Sequence, residues 1–163
     1  MLWPSARIER RRGEIRLRLP TRERDVLRQL PGQLRDLLGT DDPDLRRLFP
    51  PAYGDDEAAD AEYRRLTRGQ LLEGRLRALR VVEETVDADR LDERQLEAWV
   101  GALNDLRLVL GTRLDVDEEV YASEIAPDDP RAPELALYAY LSWLQEQAVA
   151  ALAAGLPEDG ATA

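Results

Sequence analysis

The chain has 163 residues, of which 44% are hydrophobic, and folding at this length buries about 70% of the unfolded surface, so one domain with a packed core is expected. It has no Cys and no His, and all 23 basic residues are Arg, which excludes thiol and disulfide chemistry, imidazole proton transfer, a Cys/His zinc site and a lysine Schiff base within these residues. The formal net charge of −10 is uneven, because residues 1–28 hold nine Arg against four acids.

Residues 6–19 read as a β-hairpin. Ile15, Leu17 and Leu19 alternate with Arg16 and Arg18, the period of a half-buried strand, and Arg12-Gly13 supplies the turn after a shorter strand around Ile8. Thr21 is expected to cap a helix whose apolar positions run from Leu27 to Leu38, with Pro31 kinking or dividing it near Leu30. Residues 40–54 are turn-rich, with a short helical piece at 44–49 closed by Pro50-Pro51. Helical spacing resumes over 56–66, and Thr67 is expected to cap a separate helix reaching Val86. Gly69 and Gly74 weaken that helix or mark close backbone contact.

Asp92 with Gln95 forms a capping-box pattern. Leu96, Trp99, Leu103, Leu106 and Leu110 then repeat at helical spacing, ending at Gly111 or just past Leu114. An acidic loop over 115–133 leads to Pro133, which suits the first turn of a last helix over 134–154 with Gly155 at its end. That helix is apolar on most sides and is expected at the centre of the bundle. The fold class is mainly α: a small helical bundle (21–154) with an N-terminal β-hairpin (6–19), one domain over 1–155, and a flexible tail at 156–163. No apolar run approaches the 18 or so residues of a membrane helix and no signal-peptide core opens the chain, so a cytoplasmic protein is expected.

Four features bear on function. The arginines of the hairpin region (Arg7, Arg10, Arg11, Arg12, Arg16, Arg18, Arg22, Arg24) read first as a solvated face paired with the acidic body. A protein partner is the next reading. Nucleic acid comes last, because the whole-molecule field opposes it and no aromatics interleave with the arginines. The acidic loops fail the calcium-loop pattern, since Val120 and Ala126 stand where Gly and Glu are required. No carboxylate pair looks desolvated, so an enzyme working with carboxylates and a divalent ion is the weakest option, and no cofactor is expected. Finally, Asn104, Asp105 and Arg107 interrupt an apolar helix and are expected to form a buried polar network. Arg107 and Arg113 also offer a second partner surface. The three Trp and five Tyr leave homo-oligomers open.

The run LNDLRLVLGTRL (103–114) resembles the signature of an actinobacterial domain-of-unknown-function family. LRRLFPPAYGDD (45–56), EYRRLTRGQLLEGRL (62–76) and YLSWLQE (140–146) resemble it too, so the likeness spans nearly the whole chain. The resemblance implies a helical cytoplasmic protein with no known enzyme activity, encoded commonly beside the ClpS protease-adaptor gene and near a sulfur-carrier cysteine-synthesis cluster. One mycobacterial branch is described as an oxidative-stress-sensing regulator that acts with a sigma factor through a thiol pair. Without Cys, that switch cannot carry over; binding to a sigma factor, RNA polymerase or the ClpS pathway could.

Overall fold

Strand alternation sends Ile8, Ile15, Leu17 and Leu19 into the core and turns Arg16 and Arg18 to the other side. β1 (Ile8–Arg11) and β2 (Glu14–Leu17) pair antiparallel with Ile8 opposite Leu17 and Arg11 opposite Glu14. The turn residues Arg12 and Gly13 both have positive φ, 52° and 79°, as a two-residue hairpin turn of matching twist demands. In this computed structural model the described residues are 5–49, 57–116 and 126–157, without the side chains of 57–60 and 64. The expected Pro50-Pro51 stop, residues 117–125 of the acidic loop and nearly all of the tail lie outside them.

α1 (Thr21–Leu38) starts one residue earlier than a Thr21 cap allows. Pro20 is the N-cap, extended at φ −60°, and its carbonyl accepts from Arg24 N at 3.0 Å; no side chain caps the helix. Pro31 does not divide α1. It is buried with Leu27, Leu34 and Leu38, and this shared core face holds the helix together across the one backbone bond that proline removes. A short 3-10 turn, Pro43–Leu45, is capped by the Asp42 carboxylate, which accepts from Asp44 N at 2.8 Å.

α2 (Glu57–Thr85) is one helix where two were expected. The Thr67 hydroxyl donates to the Tyr63 carbonyl at 2.5 Å, so it bonds back into its own helix instead of capping a new one. Gly69 and Gly74 face open space and meet no other backbone.

β3 (Arg90–Leu91) adds a third strand beside β2, giving the order β1-β2-β3. Asp92 then opens α3 (Glu93–Arg113) with a complete capping box: its carboxylate accepts from Gln95 N at 2.7 Å and the Gln95 side chain accepts from Asp92 N at 2.9 Å. Gly111 lies inside α3 against the Tyr138 ring. α4 (Ala132–Ala154) carries Pro133 in its first turn and ends at Gly155. The central helix is α3, which packs on α1, α2, α4 and the 3-10 turn; α4, expected there, keeps Val149 and Ala150 exposed.

The deepest aromatic is Trp99 on α3, fully buried. Its indole N–H donates to the Thr85 hydroxyl at 2.8 Å, and that hydroxyl donates to the Val81 carbonyl at 2.6 Å. Thr85→Val keeps the shape and strands the indole N–H in the core, which costs about 1–3 kcal/mol. Urea unfolding is expected to show that loss; an unchanged midpoint would mean the bond contributes nothing.

Candidate functional site

The sheet and the start of α1 gather the basic residues, and the structure divides them. Arg7 is buried: its guanidinium donates twice to Glu23, at 2.9 and 3.0 Å, and lies 5.5 Å from the centre of the Trp143 ring. The Tyr140 hydroxyl donates to the same Glu23 carboxylate at 2.7 Å. The Glu23 hydrogen bond raises the Arg7 pKa, and burial followed by Glu23 raises that of Tyr140, so both stay protonated.

Arg10 reaches the far end of α4. Its Nε donates to the Ala151 carbonyl at 2.9 Å, and its terminal nitrogen lies 2.5 Å from Glu93 in the first turn of α3. A cation there satisfies a late carbonyl of α4 and complements its dipole. Gly155 leaves room for it, because a Cβ at 155 would meet the Arg10 guanidinium. Arg24 donates to the Leu19 and Asp87 carbonyls at 2.9 and 3.3 Å, and Arg11 pairs with Glu9 at 2.9 Å.

A different group faces outward. Arg16 on β2 stands directly opposite Arg90 on β3, and Glu14 lies between them, 4.0 Å from Arg16 and 3.1 Å from Arg90. Like charges directly opposite destabilise a sheet unless an anion sits near them. Arg16, Arg18, Arg24 and Arg90, with Asp89, line an open groove of about 540 Å³. The exposed guanidinium groups of Arg12, Arg18 and Arg22 make no hydrogen bond or ion pair among the described residues. The groove is thus a cationic concavity whose arginines outnumber its acids. It suits a carboxylate-bearing or other anionic surface.

Asn104, Asp105 and Arg107 do not share one network. Asn104 accepts from the Gln145 amide of α4 at 3.2 Å. Asp105 points the other way, 2% exposed and ion-paired with Arg75 of α2, which also donates to the Leu48 carbonyl at 2.9 Å and lies beside the Phe49 ring. Arg107 pairs with neither and lines a cleft between α3 and α4. Arg113 pairs with Asp44 at 3.0 Å, joining the end of α3 to the 3-10 turn. Among the described residues no group of His, Cys, Asp or Glu is arranged to hold a metal ion, and no helix is long and apolar enough to cross a membrane.

The contribution of Arg90 was missed from sequence because a two-residue strand shows no periodicity. Asp87 and Asp89 could not be matched to Arg24 and Arg28 because those pairings are non-local.

A family profile described as a domain of unknown function, DUF2017, matches residues 5–152. The chain is 33% identical over 132 residues to the putative oxidative stress regulator AosR of Mycobacterium leprae, covering 70% of this chain and 60% of the relative. It is 30% identical over 129 residues to the oxidative stress regulator AosR of Mycobacterium tuberculosis, covering 68% and 58%. The chain therefore spans about three-fifths of the length of the curated relatives it matches. No solved structure matches it.

Burial raises the Asp105 carboxyl above its ordinary 3.8, more than Arg75 lowers it. A carboxyl whose folded pKa is raised penalises the fold while it is ionised, and the penalty disappears as it protonates on acidification. Relative to Asp105→Asn, the parent is expected to gain stability as pH falls from neutral through the raised pKa, with no further change below 3.8. Paired urea titrations across that range test the sign; a relative loss on acidification would mean that Arg75 dominates.

Proposed function

The chain belongs to the family described as a domain of unknown function, DUF2017, and on that premise we propose that it is a non-enzymatic regulator acting by protein–protein contact. Its relatives in two mycobacteria are named oxidative stress regulators, which supports a regulatory role. The contact is made with the transcription machinery (a sigma factor or RNA polymerase) or within a ClpS-linked stress response, in the cytoplasm. Because these residues include no Cys, a redox response involving them must originate outside them.

The observation that carries this reading is the outward arginine set. Arg16 and Arg90 are held opposite each other, and Arg18 beside them has no acid partner among the described residues. Arginines held this way suit bidentate capture of carboxylates on an acidic partner segment. Nucleic acid fits less well. Among the described residues no aromatic side chain lines the groove to stack bases, and the body opposes a polyanion with its charge of −10.

Replacement of Arg12, Arg18 and Arg22 by Ser removes only side chains without folded-state bonds among the described residues. In co-purification from the host, this variant is expected to lose a transcription or ClpS-pathway component that the parent captures, with unchanged helical circular dichroism. Unchanged capture would remove the hairpin face from the account. A gel shift with DNA whose affinity falls steeply with salt would replace the protein partner with nucleic acid.

A further inference from the structure

The helix α2 outruns the body it packs on. Its later turns hold Leu72, Leu79 and Val82 against the core, and Arg68 lies over the Phe49 ring, 4.6 Å from its centre. Over residues 61–66, by contrast, every described side chain is exposed. The start of α2 is thus a helical arm that stands clear of the core. Helical segments this short are marginal in water on their own, so the arm calls for something to pack on.

Ala59, Tyr63 and Leu66 follow at spacings of four and three, which places them on one face of the arm. At 3.6 residues per turn that face is turned away from Leu72 and Leu79. Leu66 is 68% exposed and Tyr63 45%. Single exposed apolar residues are ordinary, but the charge order around these two is not. Residues 57–62 hold Glu57, Asp60 and Glu62 and no Arg, whereas 63–68 hold Arg64, Arg65 and Arg68 and no acid. Such an order is complementary to itself when reversed. A second arm laid antiparallel brings the acidic half of each copy to the basic half of the other; a parallel one sets like against like.

We propose that this arm is a homodimerisation surface, on which a second copy of the chain packs antiparallel about a two-fold axis near Tyr63. The interface is isologous. Leu66 of each copy packs over Ala59 and Tyr63 of the other, and Ala58, Ala59 and Ala61 let the two backbones approach. The opposed charges fix direction and register. A pair of arms this short buries less than a standard interface, so the dimer is a reversible one. It stands independently of any protein partner at the hairpin.

Sedimentation equilibrium of the purified chain over a concentration series tests this. A reversible monomer–dimer equilibrium is expected, and Leu66→Glu is expected to raise its dissociation constant at least about tenfold. Two double reversals test the charge pairing, with Arg68 kept because it packs on Phe49. Asp60→Arg with Glu62→Arg makes the arm mostly basic, and Arg64→Glu with Arg65→Glu makes it mostly acidic. Each is expected to be monomeric alone where the parent is dimeric, and an equimolar mixture of the two to form a heterodimer. A parent that stays monomeric at every concentration would overturn the proposal. So would an unchanged constant for Leu66→Glu, or reversal variants that do not recover each other on mixing.

Discussion

A guanidinium buried where the hairpin, α1 and α4 meet fixes the rest of the molecule. Two four-residue strands do not hold together alone in water, and these two are fastened by Arg7. Its side chain is locked on Glu23 of α1, its backbone N–H and that of Ile8 donate to Gln147 of α4 at 2.6 and 3.2 Å, and Tyr140 of α4 completes the joint. Breaking this part-buried pair leaves the Arg7 charge without its carboxylate, which destabilises the joint. With Arg7 fixed, the register β1 keeps with β2 decides which side chains turn inward. Ile15 and Leu17 then enter the core, and Arg16 and Arg18 face outward.

The same physics sorts the arginines into two groups. Arg7, Arg10 and Arg24 run their guanidinium groups back onto carboxylates and backbone carbonyls. Arg75 does the same for α2 and α3 through Asp105. Arg12, Arg18 and Arg22 remain exposed. A basic stretch in a chain of net charge −10 is thus partly internal scaffolding and partly surface. Only the surface part is free to meet a partner.

The hairpin, its Arg12-Gly13 turn, the capping box at Asp92 and the span of the last helix were all legible in the sequence, because each depends on local periodicity or on a residue type suited to one backbone conformation. Pro31 was expected to kink or divide its helix and Thr67 to open a new one, and neither division occurs. At Pro31 core packing outweighed a missing backbone bond, and at Thr67 a hydroxyl bonded its own helix. The choice of α4 as central helix failed for a similar reason, since apolar content does not say which face meets which neighbour, and alanines can be exposed without penalty. The candidate site was legible only in its residue types. That Arg10 anchors α4 while Arg18 stays free follows from contacts more than 100 residues apart in the chain, as with Arg10 and Ala151. Likewise, Asn104, Asp105 and Arg107 are near neighbours in sequence, but Asn104 and Arg107 face α4 while Asp105 turns to Arg75 of α2.

The division between anchored and free arginines is the claim on which the functional reading rests, and nitrogen-15 NMR of the arginine Nε–H groups measures it directly. Slow hydrogen exchange is predicted for Arg7, Arg10 and Arg24, whose Nε–H groups donate to Glu23, Ala151 and Leu19, and solvent-limited exchange for Arg12, Arg18 and Arg22. Equal exchange across the two groups would contradict the account, because the hairpin would then be a uniformly solvated basic ribbon with no structural share.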